Sequence, residues 1–331
     1  MGMSVPMSVR WGFLSTARIN RLVLAGARES DRVDVVAVAS RERERAEAYA
    51  RENGIERAHG SYEDLLADPN VEAVYISLPN SMHVEWSIRA LEAGKHVLCE
   101  KPLSRRPAEV EEAFDAAERA GLVLMEAFMY RHNPQTARLK ELVDSGAIGT
   151  LQLVRAAFSF PVQGSGNVRL LAELDGGSLM DVGCYCVSGA RLLAGEPERV
   201  YAEQVVGETG VDVLFSGTMR FPSGVIAQLD SGLHLPHRDE LEAIGAEGSV
   251  FLDDPWHCRT PVLRLRRDGG DEEVAVAAAD SYRLELENMS DAIRGDAAPL
   301  LGREDAVGQA RAIEALYRSA EEERPVTLSG S

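Results

Sequence analysis

Three side chains in this 331-residue chain have the types that proton transfer at an alcohol requires. Asp181 and Tyr185 are four residues apart within residues 178–193, which the sequence pattern predicts to be one helix, so both lie on one of its faces. Lys101 is one of three lysines against 32 arginines, and unlike arginine a lysine can exchange a proton. Hydride loss from an alcohol carbon requires removal of the hydroxyl proton, which a tyrosine of lowered pKa beside a lysine ammonium can accept. The alternative is structural: Tyr185 packs the helix and Asp181 caps it.

A short turn near the N-terminus has small residues of the kind that a dinucleotide site needs. It follows the first predicted strand, residues 9–14, and comprises Ser15, Thr16, Ala17, Arg18 and Ile19. Small side chains there let a pyrophosphate approach the backbone and the start of the next helix. The three glycines usual at such a turn would fall at Ser15, Ala17 and Asn20, and none is glycine. On this turn alone, a plain strand-to-helix connection stays open as the alternative.

The end of the second predicted strand, residues 33–39, indicates which dinucleotide would bind. Sites for NAD usually place an acidic residue here, which holds the ribose 2′-hydroxyl and repels a 2′-phosphate. This chain has Ser40 and Arg41 instead, a hydroxyl and a guanidinium that suit the phosphate. The sequence therefore predicts NADP as the cofactor and disfavours NAD. The alternative is that Arg41 belongs to the solvated face of the charged helix that follows.

Two further polar groups follow predicted parallel strands. The apolar run of residues 71–78 ends at Leu78 and is followed by Pro79, Asn80 and His83, and the run of residues 97–100 ends at Glu100 and is followed by Lys101. Because a parallel sheet binds its ligands beyond the carboxyl ends of its strands, both groups are predicted to contact the cofactor. Taken singly, a histidine at a helix start and a Glu-Lys pair are more often structural. Their occurrence at successive strand ends favours a ligand site.

The elements that would position these residues form two patterns. Residues 1–126 alternate apolar strands with amphipathic helices, which predicts an α/β Rossmann domain with a doubly wound parallel sheet that binds NAD(P). Residues 127–331 show a helix, a long strand, the helix at 178–193 and then short strands at hairpin spacing, closed by two helices. This second pattern predicts an α+β substrate-binding domain with a mostly antiparallel open sheet.

Composition excludes several classes of function. The formal net charge of −18 disfavours nucleic acid as a partner, although one bound nucleotide can be held locally by backbone N–H groups and an arginine. No stretch approaches the roughly 20 apolar residues that a membrane span needs, and residues 1–9 lack the pattern of a secretory signal. The four cysteines suit reduced thiols in a cytoplasm. Cys184 and Cys186 have no second pair at metal-ligand spacing, so no metal is expected.

Longer motifs make the chain resemble a known family. The most specific is AGKHVLCEKP at residues 93–102, which is similar to the signature of glucose–fructose oxidoreductases, inositol dehydrogenases and their relatives. Residues 76–83 resemble that family's cofactor-contacting loop. MEAFMYR at residues 125–131 and GGSLMDVGCY at residues 176–185 resemble one branch, which holds dimeric dihydrodiol dehydrogenases, NADP-dependent xylose and glucose 1-dehydrogenases and some sugar ketoreductases. The resemblance covers nearly the whole chain.

The resemblance implies a role for each candidate residue. Lys101 would stand beside the reacting oxygen and the nicotinamide, Tyr185 would be the general acid and base, and Asp181 would orient Tyr185 or a substrate hydroxyl. Arg131 would contact the cofactor or the substrate. The substrate implied is a sugar or another polyol. Relatives pair their antiparallel sheets face to face, which implies a homodimer or homotetramer through the C-terminal sheet.

Two other functions stay open on the sequence. A trans-dihydrodiol dehydrogenase would share the same catalytic residues and differ only in its substrate pocket. A regulatory protein that binds NAD(P) without turnover would share the fold, and the complete set of Lys101, Asp181 and Tyr185 argues against it. The leading prediction is an NADP(H)-dependent oxidoreductase that transfers hydride between nicotinamide and a hydroxyl or carbonyl carbon of a sugar-like substrate.

Overall fold

The computed structural model, which describes residues 8–164 and 166–328, divides into two compact units. The first comprises the described residues up to Ser104, together with Ala108–Met129 and Asp280–Ala306. The second comprises Arg105–Pro107, Tyr130–Ala279 and the described residues from Val307 onward. The first unit thus includes residues 280–306, a segment that the sequence patterns alone assign to the second domain. Residues 1–7, at the start of the predicted first domain, lie outside the described residues.

The first unit is built on a parallel sheet of six strands in the order β3-β2-β1-β4-β5-β6. The strands are β1 (Val9–Phe13), β2 (Val33–Ala39), β3 (Arg57–His59), β4 (Ala73–Ile76), β5 (His96–Glu100) and β6 (Leu124–Ala127). All neighbouring pairs run parallel, which confirms the predicted Rossmann fold. The order reverses between β1 and β4, the switch point at which such sheets bind ligands. Strand β3 has no counterpart in the predicted pattern, because its residues Arg-Ala-His form no apolar run.

Helices cover the strands and follow the predicted alternation. In the described residues they are α1 (Asn20–Arg28), α2 (Arg43–Asn53), α3 (Tyr62–Leu66), α4 (His83–Glu92), α5 (Pro107–Ala120), α6 (Pro134–Asp144), α7 (Cys184–Ala194), α8 (Ser281–Arg294) and α9 (Arg303–Glu322). Helix α8 packs against α1 at Gly26, where an added Cβ atom would lie 2.6 Å from the backbone nitrogen of Arg283. This close contact holds α8 in the first unit. None of these helices combines the length and the apolar character that crossing a bilayer requires.

The second unit contains a nine-stranded sheet in the order β14-β13-β12-β11-β7-β10-β9-β8-β15. The strands are β7 (Leu151–Ser159), β8 (Arg199–Val206), β9 (Asp212–Arg220), β10 (Ile226–Gly232), β11 (Arg238–Gly245), β12 (Gly248–Leu252), β13 (Val262–Arg267), β14 (Gly270–Ala275) and β15 (Val326–Thr327). In this sheet β7 and β10 run parallel and the other neighbours run antiparallel, which confirms the predicted mostly antiparallel sheet. The sequence pattern misses β14, which is charged and exposed, and β15, which has two residues.

The prediction of one regular helix over residues 178–193 is wrong in its first part. Residues Leu179–Gly183 form a π-helical turn, and α7 begins only at Cys184. Helical periodicity in a sequence does not distinguish this wider turn, because packing produces it: Gly183 lies against β10, where an added Cβ atom would come within 2.8 Å of Ser231 Oγ. Such turns are rare in proteins overall, and those that occur are often found at functional sites. Asp181 lies in the middle of the π-helical turn and Tyr185 lies two residues beyond its end.

Candidate active site

Side-chain hydrogen bonds close the turn after β1, where the usual glycines are absent. Ser15 Oγ lies 2.7 Å from Ser77 Oγ, and Ser77 Oγ in turn donates to Asn20 Oδ1 at 2.7 Å. Asn20 Nδ2 donates to the Ser15 carbonyl at 2.8 Å, and the Ala17 N–H donates to Ser15 Oγ at 3.0 Å. Ser15, Asn20 and Ser77 are all buried. Two of the three residues that replace the glycines, Ser15 and Asn20, therefore hold the turn through a closed ring of hydrogen bonds.

The start of α1 offers unused donors to an anion. Among the described residues, the N–H groups of Arg18 and Ile19 meet no acceptor, and the first turn of α1 contains no acidic residue and no capping side chain. A helix N-terminus with free N–H groups is a binding site for phosphate, because its donors and its dipole both favour negative charge. The residues at this turn thus fit the pyrophosphate of a dinucleotide.

The carboxyl end of β2 carries positive charge, as the 2′-phosphate of NADP requires. Ser40 is buried and Arg41 is exposed. Burial raises the pKa of Tyr62, and the nearby charges of Arg41 and Arg45 oppose that rise. Arg43 lies on the other side, against Gly60, where an added Cβ atom would come within 3.2 Å of the Arg43 side chain. Arginine charge therefore surrounds the strand end where an acidic residue would select NAD.

His83 connects the loops that follow β4 and β5. Its side chain is 1% exposed, with Nδ1 at 2.8 Å from the Pro102 carbonyl and Nε2 at 2.8 Å from the Leu78 carbonyl. Burial lowers the pKa of His83, and the contacts with the two carbonyls oppose that shift. The ring thus supports the segment around Leu78, Pro79 and Asn80 from inside the protein. It does so next to Lys101, which precedes Pro102 through a cis peptide bond.

Lys101 follows β5 directly, at the carboxyl end of a central strand, and is half-buried. The preceding Glu100 accepts a hydrogen bond from the Tyr75 hydroxyl. Ser15, Leu78, Glu100 and Lys101 all belong to the strand ends on the ligand-binding side of the sheet. The first unit therefore brings together the predicted cofactor residues that follow β1, β4 and β5.

In the second unit, aromatic rings enclose Tyr185. The Tyr185 ring is 6% exposed, and its centroid lies 5.5 Å from that of Phe158, 5.8 Å from that of Tyr130 and 5.9 Å from that of Trp256. Gly189, one turn later on α7, leaves room for the indole, since an added Cβ atom would lie 2.8 Å from the Trp256 ring. Such contacts restrict the rotation of a ring. The phenol ring of Tyr185 is therefore held rigidly by its neighbours.

Asp181 and Arg131 have partners in the same unit. The Asp181 carboxylate accepts a hydrogen bond of 2.7 Å from Arg169 Nε, and the Arg169 guanidinium also lies over the Phe160 ring. Arg131 lies 3.4 Å from Ser188 Oγ, the same hydroxyl that accepts a 2.7 Å bond from Tyr130. The sequence analysis does not identify Arg169 or the three aromatic neighbours of Tyr185. Arg169 stands in a single 3₁₀ turn, Val168–Leu170, without a motif, and Phe158 and Trp256 are indistinguishable in sequence from ordinary core residues.

A cluster of metal-ligand types also occurs in this unit. Side-chain ligand atoms of Asp239, Asp254 and His257 lie within 4.8 Å of one another. His257 Nδ1 is 2.6 Å from Asp239 Oδ2, and Arg259 pairs with the Asp254 carboxylate at 2.8 Å. The Trp256 backbone N–H donates to the other oxygen of Asp239. These contacts connect the loop between β12 and β13 to Asp239 of β11.

Comparison with known proteins extends these observations. Residues 9–128 match the model described as oxidoreductase family, NAD-binding Rossmann fold, and residues 136–251 match the GFO/IDH/MocA C-terminal domain. The chain is 40% identical to an NADP-dependent D-xylose 1-dehydrogenase of Haloferax volcanii, over 96% of this chain and 99% of that protein. It is 39% identical to the trans-1,2-dihydrobenzene-1,2-diol dehydrogenase of Mus musculus, over 76% of each chain.

One solved structure is similar over nearly the full length of both chains. This is KijD10, a 3-ketoreductase from Actinomadura kijaniata in complex with NADP and TDP-benzene, with a TM-score of 0.89 and 31% identity over 94% of this chain and 98% of that one. Variants of KijD10 in which one tyrosine or one lysine is replaced match as well. Both matched domains, the order of the six parallel strands and the full-length likeness agree. The chain belongs to the GFO/IDH/MocA family of oxidoreductases, whose N-terminal domain is an NAD-binding Rossmann fold.

Proposed function

We propose that this chain is an NADP(H)-dependent oxidoreductase that transfers hydride between nicotinamide and a hydroxyl or carbonyl carbon of a sugar or sugar-like substrate. The observation that carries the proposal is the phenol of Tyr185, which is held among three aromatic rings close in sequence to the paired carboxylate of Asp181. A buried phenol whose ring is held by its neighbours suits a group that transfers one proton.

Residues of the first unit would hold the cofactor. The free N–H groups of Arg18 and Ile19 suit the pyrophosphate, and Ser15, Thr16 and Ala17 are small enough for it to approach the backbone. Ser40 and Arg41 suit the 2′-phosphate. Leu78, Pro79, Asn80 and Glu100 would line the nicotinamide half, with His83 supporting them, and Arg131 would contact cofactor or substrate. When bound, NADP(H) supplies the hydride acceptor or donor.

The proton steps fall to this chain's own side chains. In oxidation, the phenolate form of Tyr185 would accept the proton of the substrate hydroxyl while the carbon gives up its hydride; in reduction, the Tyr185 phenol would return the proton to the forming alkoxide. Lys101 would stand beside the reacting oxygen and the nicotinamide, where its ammonium would favour the ionised form of that oxygen. Asp181, held by Arg169, orients Tyr185 or a substrate hydroxyl.

The relatives support this proposal over its alternatives. An NADP-dependent sugar dehydrogenase at 40% identity and a sugar-nucleotide ketoreductase solved with NADP favour a sugar-like substrate and NADP. The variants of KijD10 exchange the two residue types, tyrosine and lysine, that we assign to proton transfer and charge stabilisation. The 39% identity to a dihydrodiol dehydrogenase keeps an aromatic diol as the second candidate substrate. The complete set of Lys101, Asp181 and Tyr185 argues against a regulatory protein that binds NADP without turnover.

The experiment is a panel of substrates followed by nicotinamide absorbance. The purified protein is incubated with NADP⁺ or NAD⁺ and aldoses, inositols or a trans-dihydrodiol, and with NADPH and keto-sugars for the reverse reaction. We expect turnover with NADP(H) on a sugar. A dihydrodiol turned over far better than any sugar would select the second candidate. Tight NADP(H) binding without turnover of any alcohol or carbonyl would identify a regulatory protein instead.

The variant Tyr185→Phe tests the assigned acid–base group. It removes only the hydroxyl and keeps the ring contacts, so kcat should fall about 10²- to 10⁴-fold, the contribution of general acid–base catalysis. Binding of NADP(H), followed by fluorescence titration, should stay within about twofold of the parent, since only one hydroxyl changes. Tyr201→Phe on the exposed side of β8 is the matched control. Parent-like kcat in Tyr185→Phe would remove Tyr185 from this role.

We also propose where and how the protein works. All four cysteines are free thiols and all are buried, which suits a reducing cytoplasm. Tyr201 and Val205 on β8 are exposed large apolar side chains on the nine-stranded sheet. Such residues are candidates for an interface. We therefore propose a homodimer or homotetramer that forms through this sheet.

A further inference from the structure

Asp212 is a buried carboxylate, and its hydrogen-bond partners meet at one place in the fold. It is 3% exposed at the start of β9. Its Oδ2 accepts bonds of 2.7 Å from Ser178 Oγ and 2.7 Å from the Leu179 N–H, and its Oδ1 accepts a bond of 2.8 Å from the Tyr317 hydroxyl. Burial raises the pKa of Asp212 and these donors oppose the rise. Leu179 is the first residue of the π-helical turn and Ser178 directly precedes it, so Asp212 caps the turn.

Glycines before the turn make this cap possible. Gly177 has a φ of +125°, and an added Cβ atom there would lie 2.2 Å from Asp212 Oδ1. The adjacent Gly176 packs on the Arg169 carbonyl, at 2.5 Å from an added Cβ atom, and the Gly177 N–H donates to that carbonyl at 2.9 Å. Arg169 is also the partner of Asp181. The start of the turn, its cap and the partner of Asp181 therefore form one connected cluster.

The far end of the turn is also anchored. Gly183 lies against Ser231, and Ser231 Oγ is 3.1 Å from Ser178 Oγ. The carbonyl of Cys184 accepts a 2.8 Å bond from Gln309, and Gly189 packs on Trp256. Because α7 is anchored beyond the turn, a change of helical register can only be taken up within Leu179–Gly183. Such a change would move Asp181 relative to Tyr185.

We propose that Asp212 is a positioning residue for the reaction: by capping the π-helical turn it holds Asp181 and Tyr185 in their working arrangement. This inference rests on the proposed role of Tyr185 as the acid–base group. Without the cap, the Leu179 N–H loses its acceptor and the turn loses the interaction that favours its wide form. Asp212 itself touches neither cofactor nor substrate in this assignment.

Variants of graded severity test the proposal. Asp212→Ala removes every acceptor, and Asp212→Asn keeps one oxygen for Ser178 and Leu179. Tyr317→Phe removes only the donor to Oδ1, the oxygen that does not bond to Ser178 or Leu179. We expect kcat to fall about 10- to 100-fold in Asp212→Ala, as for a small displacement of a catalytic group, with partial rescue in Asp212→Asn and near-parent kcat in Tyr317→Phe. KM for NADP(H) should change by less than about twofold, because the first unit is unaltered.

A structural control separates positioning from general destabilisation. Ser319→Ala removes a buried hydroxyl of the same unit that bonds to Ala202 and Arg324, away from the turn. It should lower Tm without lowering kcat. The proposal is overturned if kcat falls in proportion to Tm in Ser319→Ala, in Tyr317→Phe and in the Asp212 variants alike. It is also overturned if Asp212→Asn and Ser178→Ala both fold and keep the parent kcat. These last two variants decide the matter if Asp212→Ala does not fold.

A spectroscopic measurement keeps the test independent of turnover. Tyrosine labelled with ¹³C at Cζ gives one signal for Tyr185, which its loss in Tyr185→Phe identifies. In Asp212→Asn we expect that signal and its titration with pH to shift, whereas Ser319→Ala leaves both in place. An unmoved signal contradicts the positioning role. If instead Tyr185→Phe retains full kcat, the proposed function fails while the signal still reports whether Asp212 positions Tyr185.

Discussion

At the scale of single residues, Glu285 is a buried group that the proposed reaction does not use. It is 1% exposed on α8, and its Oε1 has no hydrogen-bond partner among the described residues. Burial, followed by the charge of Glu100, raises the pKa of Glu285 well above the ordinary value of 4.5. Tyr75 and Tyr282 face the same pair and carry no positive charge to offset it. Burial therefore favours the neutral, protonated form of the Glu285 carboxyl in the folded protein.

The sign of the pH dependence follows from this protonation. In the unfolded chain Glu285 releases its proton above its ordinary pKa, whereas the raised pKa in the folded protein holds the proton to higher pH, so folding favours proton uptake and stability falls as pH rises. The variant Glu285→Gln cannot titrate and lacks this loss. Its Tm relative to the parent should therefore rise between pH 4.5 and pH 7.5, by about 3 °C if the difference is about 1 kcal/mol. Thermal unfolding at both pH values measures this.

The control for that prediction is Glu287→Gln, two residues away on the less buried side of α8. Its Tm should follow the parent at both pH values. If Glu285→Gln and the parent lose stability in parallel as pH rises, the pKa of Glu285 is not raised in the folded protein and the prediction is wrong.

At the scale of elements, the turn between β1 and α1 shows how a strand–helix connection is held without glycine. Asn20 donates to the Ser15 carbonyl and accepts from Ser77 Oγ, so its amide links the turn to the end of β4. Removing a buried partner leaves the remaining polar groups unsatisfied, at a cost of about 1–3 kcal/mol each. The turn also presents the N–H groups that we assign to the pyrophosphate.

Asn20→Ala should therefore weaken both stability and cofactor binding. We expect the free energy of unfolding to fall by about 2 kcal/mol, since two buried hydrogen bonds are lost. The Kd for NADP(H) should rise several-fold. Denaturant unfolding and fluorescence titration measure the two effects. Ser30→Ala, which removes an exposed side-chain bond beyond the other end of α1, should change neither; an unchanged Kd in Asn20→Ala would show that the turn does not shape the cofactor site.

At the scale of the whole molecule, two features have opposite effects on association: the net charge opposes it, and the exposed apolar residues on one face of the nine-stranded sheet favour it. The face that contains Ala202 and Gly217 packs on α9, where Leu316 lies 3.0 Å from an added Gly217 Cβ atom. Tyr201 and Val205 point to the opposite face and are 39% and 51% exposed. Two copies that associate through this face each carry a formal charge of −18. Repulsion between them is screened by salt, with a Debye length of about 10 Å at 0.1 M and about 3 Å at 1 M.

Assembly should therefore be stronger at high ionic strength. Light scattering at 1 M KCl should give at least the mass of a dimer, with more dissociation on dilution at low salt. The double variant Tyr201→Ser and Val205→Ser should weaken association about tenfold or more, because it removes the apolar centre of the interface. Leu300→Ser, an equally exposed apolar residue outside this face, is the control. A parent-like mass for the double variant would place the interface elsewhere.

Local patterns were sufficient to predict the elements and the strand ends. Alternating apolar runs and helical stretches predict the parallel sheet. Because the end of each predicted strand can be read from the order of residues alone, Ser15, Ser40, Leu78 and Lys101 could be placed at the ends of their strands. The motif at residues 93–102 indicates the family for the same reason: its information is contiguous. Strands β3 and β15 could not be predicted in this way, because their few residues carry no periodic signal.

The amino-acid sequence by itself thus determined the fold class, the family and the candidate residues Lys101, Asp181 and Tyr185. Only the tertiary structure decided how those candidates are held: the π-helical turn, the pairing of Asp181 with Arg169 and the cap that Asp212 provides. It also decided that α8 packs with the first unit, through Gly26. The physical reason is distance along the chain. Asp212 and Leu179 are 33 residues apart, and a hydrogen bond between such residues leaves no periodic trace in the sequence.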